Sequence, residues 1–443
     1  MNRRHEATID ILPDSVFLEI FNFCLQDSDH TKPLECTIKW KRLAHVCQRW
    51  RKIVFGSPHS ARQLDLQLSC SYRTHVRKNL VFWPENLPLT VDYSGRYSIY
   101  GASLFPNDED NIIFALQHTR RVHRIKVLAK GSLLRKMPTI LQKSFPALTH
   151  LDLEWDLHDF PESDTLGLPI IPGGFLGGSA PCLQHFRLNW IVFPDLPTFL
   201  LSARNLVTIK LEEIPPNSYI SPEAMVGSLA VLTKLTSLSI AFCKETYPLD
   251  QRRDPPVQAI LPALTEFHYR GHGEYLEDFL AQIDTPQVNR VQIEYFIQPI
   301  QVSQLSHFIN RTKNLDLNQF TCAEVTFKED VFFHLAFPQG ERRQVHLFLQ
   351  ILGLESLDMK VPCLVNVLGR LVAIFSNVDR LTAGGNKVRS REMDSTKWLP
   401  FFRLFPAIKV LDLSGGVASH IASALVDAAK LVTDVFPVLH SIG

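Results

Sequence analysis

One cluster of residues in this sequence has the chemistry of a metal site, at His268-Tyr269-Arg270-Gly271-His272-Gly273-Glu274. Two histidines and a carboxylate at this spacing could bind zinc. A helical site of that kind needs both imidazole rings on one face, and Gly271 and Gly273 make a helix improbable there. His268 also falls at an outward position of a predicted strand. We therefore expect no metal and no cofactor.

The segment Gly173-Gly174-Phe175-Leu176-Gly177-Gly178 has the glycine content of a phosphate-binding loop. It lacks the lysine and the Ser or Thr that such a loop needs, and the prolines around it indicate a mobile insertion between repeats. The sequence shows no serine elbow, no metalloprotease signature and no catalytic cysteine framework. We predict that the chain is not an enzyme.

Residues 111–151 contain a run of basic side chains and no carboxylate. In residues 152–164 the pattern reverses, with several carboxylates and no lysine or arginine. A basic patch could bind a phosphorylated partner. The simpler interpretation is that neighbouring repeats neutralise each other's charge across solvated faces. Residues 115–144 also lack the aromatic side chains on which nucleic-acid bases stack.

Composition and charge set the wider limits. The chain has 443 residues, more than one ordinary core, with 45% hydrophobic and 21% charged residues and a formal net charge of +1. This balance predicts neither a nucleic-acid nor a membrane partner. The eight cysteines are spread singly, as in reduced proteins, and we see no signal peptide or membrane span. We expect a cytoplasmic or nuclear location.

The N-terminal block, residues 9–58, predicts two short amphipathic helices. The first opens at Leu12-Pro13-Asp14, since proline is tolerated in a first helical turn, and the second spans residues 40–55. Two helices of this length cannot bury a core of their own, so their apolar residues imply a partner surface.

This block resembles the F-box, in the variant common among fungal F-box proteins. The resemblance rests on Leu12-Pro13, Val16, Glu19-Ile20-Phe21, Trp40, Leu43, Val46-Cys47, Trp50-Arg51 and Ile53-Val54-Phe55, with Leu64-Asp65-Leu66-Gln67-Leu68 following. It implies docking on a Skp-type adaptor and, through it, a cullin-RING ubiquitin ligase. The adaptor-binding residues it implies are Leu12, Pro13, Val16, Ile20, Phe21, Leu43, Val46, Cys47, Trp50 and Ile53.

From about residue 120 a phrase recurs, within repeats that are better defined from about residue 110: apolar, two residues, apolar, one residue, apolar. Its copies begin at Val122, Leu148, Leu183, Leu206, Leu235, Leu264, Val288 and Ile408, with poorer ones near Thr312, Arg342 and Val378. Several follow a proline, as in Phe145-Pro146-Ala147-Leu148, which we interpret as ending a helix and starting a strand. The spacing is near the leucine-rich-repeat period of 20 to 29 residues.

Helical segments separate these strands, at about 110–119, 222–232, 275–283, 303–311, 364–375 and 418–436. We therefore predict an α/β fold, with an N-terminal helical F-box in residues 1–58 and an irregular leucine-rich-repeat solenoid in residues 59–443. This second part resembles the divergent repeats of F-box proteins but lacks the regular asparagine of well-formed ones.

In such a solenoid, strand residues between the apolar positions line the concave face and would bind a protein substrate. The candidates are Asp152, Arg187, Lys210, His268, Arg270, Arg290 and Gln292. The sequence thus predicts the substrate-recognition subunit of an SCF-type (Skp-cullin-F-box) ubiquitin ligase. The alternative is a non-ligase leucine-rich-repeat scaffold whose N-terminal helices only cap the array.

Overall fold

The computed structural model describes residues 11–26, 42–56, 66–70, 76–82, 85, 87–94, 106–129, 133, 136–155, 168–244, 258–296, 302–312, 314–315, 320–336, 346–354, 356–385, 397–427 and 436–443. The chain forms two compact units. The first comprises Met1–Pro169 and Gly173–Cys182, and the second comprises Ile170–Pro172 and Leu183–Gly443. The domain boundary at residue 58 stays a prediction.

The first unit contains five helices and four strands among its described residues. The helices are α1 (Asp14–Gln26), α2 (Gln48–Gly56), α3 (Val76–Phe82), α4 (Pro106–Leu116) and α5 (Pro138–Leu141). The strands are β1 (Leu66–Ser69), β2 (Leu89–Ser94), β3 (Val122–Ala129) and β4 (His150–Trp155), and they pair in parallel in this order.

The second unit continues the alternation of strand and helix. Its strands are β5 (His185–Asn189), β6 (Thr208–Ile214), β7 (Ser237–Phe242), β8 (Ala259–Ile260), β9 (Glu266–Gly271), β10 (Ile283–Asp284), β11 (Arg290–Tyr295), β12 (Cys322–Phe327), β13 (Val331–Ala336), β14 (Leu347–Ile351), β15 (Arg380–Gly385), β16 (Val410–Leu413) and β17 (Ser441–Ile442). Its helices are α6 (Leu196–Ser202), α7 (Pro222–Leu229), α8 (Gly273–Gln282), α9 (Ser303–Arg311), α10 (Leu357–Gly369), α11 (Trp398–Phe402) and α12 (Val417–Asp427).

A shared tight turn leads into the strands of both units. The amides of Leu148, Leu264 and Val288 donate to the carbonyl three residues earlier, at 3.1, 3.3 and 3.4 Å. The recurring proline, such as Pro146, is the second residue of this turn, where its fixed φ is favoured. The proline therefore lies inside the turn. The interpretation that it ends a helix is wrong for these repeats.

Threonines at the start of several strands add hydrogen bonds between repeats. The hydroxyls of Thr149, Thr236 and Thr265 donate to carbonyls of the preceding repeat at 2.9, 3.1 and 3.0 Å. The acceptors are His123, Val207 and Thr236. These bonds hold neighbouring turns together without the asparagine of regular leucine-rich repeats.

The strand phrase is confirmed at all eight of its clear copies, since each leads into or begins one of β3, β4, β5, β6, β7, β9, β11 and β16. The poorer copy at Val378 precedes β15. The copy near Thr312 is not tested, because residues 313 and 316–319 lie outside the described part of the chain. The copy at Arg342 lies outside the described residues.

Most predicted helices are also confirmed. Ser221 caps α7, its hydroxyl accepting from the Ala224 amide at 3.2 Å, and α9 has the predicted bounds. The segment predicted at 364–375 differs, because α10 begins at Leu357 and a separate 3-10 turn, Val372–Phe375, follows it. Helix α12 ends at Asp427, and residues 428–435 lie outside the described part.

The glycine-rich segment 173–178 is not the mobile insertion that its composition predicts. It forms a 3-10 turn, Phe175–Gly178, in which the side chains of Phe175 and Leu176 are buried. Gly174, with φ of 74°, has a left-handed backbone that favours glycine. The two apolar side chains anchor this turn to the first unit.

Polar contacts join each end of α9 to α8. The Glu277 carboxylate, on α8, accepts from the Ser303 hydroxyl at 2.7 Å and from the amides of Gln304 and Leu305 at 2.6 and 3.0 Å. It thereby caps the N-terminus of α9. Arg311, at the other end of α9, donates to the Leu280 carbonyl at the end of α8 at 2.7 Å.

The sheet of the second unit departs from chain order at one place. Strand β14 pairs in parallel with β11, β13 pairs antiparallel with both β14 and β12, and β12 pairs in parallel with β15. The spatial order is therefore β11, β14, β13, β12, β15. We refer to β12, β13 and β14 together as the meander.

Candidate functional site

The second unit has a polar sheet face, formed by the strand residues that alternate with buried ones. Strands β9 and β11 show this alternation clearly, and the buried Phe267 of β9 stacks on Phe279 of α8 at 5.8 Å. The buried side therefore faces the helices, and the alternate residues form the opposite side. We call this opposite side the polar face.

Strand register aligns residues of the polar face in rows across the sheet. The first row contains Arg187, Lys210, Ser239, His268, Gln292, Phe348, His334, Glu324, Thr382 and Asp412. The second row contains Ala241, Arg270, Glu294, Gln350, Phe332, Thr326 and Gly384. Four of the seven predicted substrate-face residues thus share one row.

Arg270 is the centre of an ion-pair network on this face. Its guanidinium donates to Glu213 at 2.5 Å and lies 3.9 Å from the Glu294 carboxylate. Glu213 reaches it from a bulge in β6, where its φ of 49° is left-handed. A strained non-glycine residue that presents a carboxylate to a partly buried arginine is typical of a functional surface.

His268 extends the network to a neighbouring strand on each side. Its Nδ1 lies 2.7 Å from the Ser239 hydroxyl, and its Nε2 lies 3.2 Å from the Glu294 carboxylate. Since a carboxylate only accepts, the neutral ring carries its proton on Nε2 and Nδ1 accepts from Ser239. His268 faces out from the sheet, as the sequence predicts.

The two carboxylates around Arg270 respond to it differently. Burial raises the pKa of Glu213, and the charge and hydrogen bond of Arg270 oppose that rise without cancelling it. Burial also acts to raise the pKa of Glu294, but hydrogen bonds from His268 and Gln292 and the charge of Arg270 outweigh it and lower that pKa. The pKa values of the two carboxylates shift in opposite directions because Glu294 accepts these additional hydrogen bonds.

This lowered pKa gives a pH-dependent prediction for Glu294→Gln. Glu294 stabilises the fold above its unfolded pKa of about 4.3, and this contribution is lost as pH falls through the lower folded pKa. The variant should therefore be less stable than the wild type at pH 6, with the gap closing below about pH 4. Urea unfolding at several pH values measures it, and a gap independent of pH would contradict the assignment.

The remaining predicted face residues differ in their surroundings. Arg187 is paired with Glu212, which accepts from its Nε and terminal nitrogen at 2.8 and 2.6 Å. Arg290 is more exposed and lies 3.6 Å from Glu266, while Lys210 is exposed. Asp152 lies on β4 of the first unit. Their role in binding a substrate stays a prediction.

In the first unit, the basic stretch is largely balanced by carboxylates. Lys126 lies between Asp92 and Asp152 in the strand register, and Lys136 pairs with Glu109. Arg120 and Arg121 line a groove of about 700 Å³ beside the last residues of α3 and α4. Helix C-termini favour cations, so these arginines are explained without a bound anion.

The N-terminal helices pack through aromatic side chains. Trp50 of α2 lies 5.5 and 4.8 Å from the rings of Phe17 and Phe21 of α1. Arg49 pairs with Asp14 at 2.8 Å and donates to the Leu12 carbonyl at 2.5 Å. The loop that enters α1 is therefore held by α2.

The helix predicted over residues 40–55 is interrupted. Residues 42–44 form a helical turn, and α2 begins at Gln48 after a break at His45 to Cys47. The Cys47 thiol accepts from the Trp50 amide at 3.4 Å, as a cap does. Trp40 lies outside the described residues.

The predicted adaptor-binding residues divide into two groups by exposure. Phe21 and Ile53 are buried, and Leu12, Leu43 and Trp50 are partly buried. The exposed group contains Pro13, Val16, Ile20, Val46 and Cys47. Apolar Ile11 and Phe23, which the sequence did not single out as contacts, are each 73% exposed. Phe23 lies three residues after Ile20, which lies four residues after Val16, and this helical spacing could have indicated Phe23.

Among the described residues, no helix is long and apolar enough to cross a membrane, and no three His, Cys, Asp or Glu side chains are grouped to hold a metal ion.

Strands entered through a shared tight turn, paired mainly in parallel and followed by helices define a leucine-rich-repeat-like fold. No protein-family model and no curated protein matches the sequence. Among solved structures, the chain is similar to the leucine-rich repeat-containing protein LegL7 from Legionella pneumophila, at 12% identity and a TM-score of 0.25, covering 85% of this chain and 100% of that one. The class assignment rests on the strands, turns and helices themselves.

Proposed function

We propose that this chain is a substrate-recognition subunit of an SCF-type ubiquitin ligase. Its N-terminal helices would bind a Skp-type adaptor, and its polar face would bind a target protein. On this proposal the chain catalyses no bond change itself. It acts by proximity, because holding the target near a ubiquitin-charged enzyme raises the effective concentration of target lysines.

The observation that carries the adaptor half is an apolar face left open on α1. Phe17 and Phe21 point toward Trp50 and are buried, whereas Val16, Ile20 and Phe23 are 36, 40 and 73% exposed. A short helix that is apolar on two faces, with only one covered by its own fold, is typical of a helix that docks in a groove. Val46, 59% exposed, adds to the apolar surface of the block.

Binding to a purified Skp-type adaptor tests this half. We expect the intact chain to bind, and the double variant Val16→Asp with Ile20→Asp to bind at least about tenfold more weakly, since each charge enters a desolvated contact. Ser15→Asp is the matched control, because Ser15 is exposed on the same helix about 100° away. Absence of binding by the intact chain would overturn the proposal.

The alternative is a scaffold whose N-terminal helices only cap the repeats. It is favoured by one observation, that Met1–Pro169 clusters as part of one compact unit. Deleting residues 1–58 distinguishes the capping scaffold from the adaptor-binding subunit. A cap predicts aggregation or loss of cooperative unfolding, whereas a docking module predicts a folded chain that no longer binds the adaptor.

A further inference from the structure

Two phenylalanines interrupt the polar face at the meander. Phe348 occupies the first row between Gln292 and His334, and Phe332 occupies the second row between Gln350 and Thr326. Their rings are 6.2 Å apart, and both side chains are partly exposed. The aligned residues beside them in both rows are polar or small. The pair therefore gives this face an apolar centre, which we call the Phe pair.

The Phe pair sits on a rigid support. Directly behind it, Phe333, Leu347 and Leu349 are at most 1% exposed and face the core. Asp330, in the turn between β12 and β13, accepts from Gln350 and from the Gly353 amide, each at 2.9 Å. The strands that carry the pair are thus fixed relative to each other before any partner binds, which lowers the entropy cost of association.

A buried lysine holds the same turn from below. Lys360 of α10 is 1% exposed, and its ammonium donates to the Lys328 carbonyl at 2.5 Å. Burial lowers the pKa of Lys360, and the carboxylates of Asp330 and Glu329 oppose that shift. A turn fastened by a buried side chain is a preorganised edge for the surface above it.

Carboxylates lie on the strand at each side of the Phe pair and in the adjoining turn. Glu294 lies on the neighbouring strand β11, Glu324 lies on β12, and Glu329 and Asp330 lie in the turn. The Glu324 carboxylate lies 2.9 Å from Nε2 of His334, and its side chain is 34% exposed. An apolar centre with an acidic rim is complementary to an apolar side chain flanked by basic ones.

We propose that the Phe pair and its carboxylate rim form a binding subsite for a peptide segment in which an aromatic or large aliphatic residue is flanked by lysine or arginine. The anchor side chain packs between Phe332 and Phe348, and the flanking cations approach Glu324 and the turn carboxylates. This names the substrate class for the polar face of the proposed function, and it rests on that face and not on adaptor binding.

A random dodecapeptide library displayed on phage, selected against the full chain without adaptor, tests the subsite. The expected result is enrichment of sequences with an aromatic or aliphatic residue beside Lys or Arg. Enrichment of acidic or phosphate-mimicking sequences, or no enrichment, would overturn the proposal. Adaptor binding is measured separately, so a chain that selects basic peptides but binds no adaptor contradicts only the ligase assignment.

Fluorescence anisotropy with one enriched peptide then locates the site. We expect Phe348→Ala to weaken binding at least about tenfold, and Glu324→Gln to weaken it by about threefold and to reduce its salt dependence. Because Glu324 is partly exposed, we expect Glu324→Gln to fold, and this variant tests the subsite should Phe348→Ala prove unstable. Arg204→Ala, at an exposed position in the turn before β6 and outside the polar face, is the control; equal effects for the control and Phe348→Ala would place binding elsewhere.

Discussion

Glu277→Ala is expected to lower the free energy of unfolding of the second unit by about 3 kcal/mol. The Glu277 carboxylate is 6% exposed and satisfies one hydroxyl and two amides at the start of α9. Alanine leaves these donors buried without an acceptor, and removes a negative charge from the positive end of a helix dipole. Because Val302, at the N-cap position, supplies no side-chain bond, nothing local replaces the carboxylate.

Urea unfolding followed by circular dichroism measures this effect. Glu274→Ala is the matched control, since Glu274 lies on the same helix and is exposed, and it should change stability by less than about 0.5 kcal/mol. Glu277→Gln should fall between them, because an amide keeps one acceptor and presents a donor where the second acceptor was. Equal midpoints for Glu277→Ala and Glu274→Ala would contradict the capping role.

Gly385→Ala is the second substitution with a large expected effect, about 3 kcal/mol of destabilisation. Gly385 ends β15 opposite Phe327 of β12, and a Cβ there would overlap the Phe327 carbonyl and press on Val417 at 3.0 Å. The obstacle is the backbone of a neighbouring strand, so no side-chain rotation relieves it. The strands would have to separate where β12 and β15 pair.

The control for Gly385→Ala is another glycine whose added methyl group meets nothing. Gly227 lies within α7 and has no atom within 4 Å of a built Cβ. Gly227→Ala should therefore stabilise the protein, by about 0.5 to 1 kcal/mol, through higher helix propensity. Opposite signs for the two substitutions in thermal or urea unfolding are expected; a neutral Gly385→Ala would show that β12 and β15 can shift apart cheaply.

Much of the repeat architecture is readable in the sequence. The apolar phrase predicts its clear strands because each copy supplies the alternating buried residues that a sheet with one covered face requires. Ser221-Pro222-Glu223 marks the start of α7 through local capping chemistry, which needs no tertiary information. Outward positions such as His268 follow from the same alternation once the strand is placed.

Other features depend on contacts distant in the sequence. The ion-pair network joins Glu213, Arg270 and Glu294 from three strands, and no local pattern assigns Arg270 to Glu213 in preference to its other neighbours. The Glu277 cap acts on a helix in the next repeat. The break at Cys47 arises because its thiol caps α2, a role that an apolar pattern does not reveal.

The Phe pair is missed because the repeat phrase has no clear copy at β12, β13 or β14. The sequence does contain a hairpin signal, Lys328-Glu329-Asp330 between two alternating runs that begin at Cys322 and Val331. A search restricted to one repeat phrase does not find it, since β13 runs against the direction of the repeats.

The displaced strand order also shapes how the second unit assembles. In a regular repeat array each unit touches only its sequence neighbours, so folding propagates stepwise and single units can be deleted. Here Val291 of β11 pairs with Leu347, 56 residues later, and the array resumes where β12 pairs with β15. That part of the chain must close a long loop in one concerted step, which slows folding, and no single repeat can be removed from it without opening the sheet.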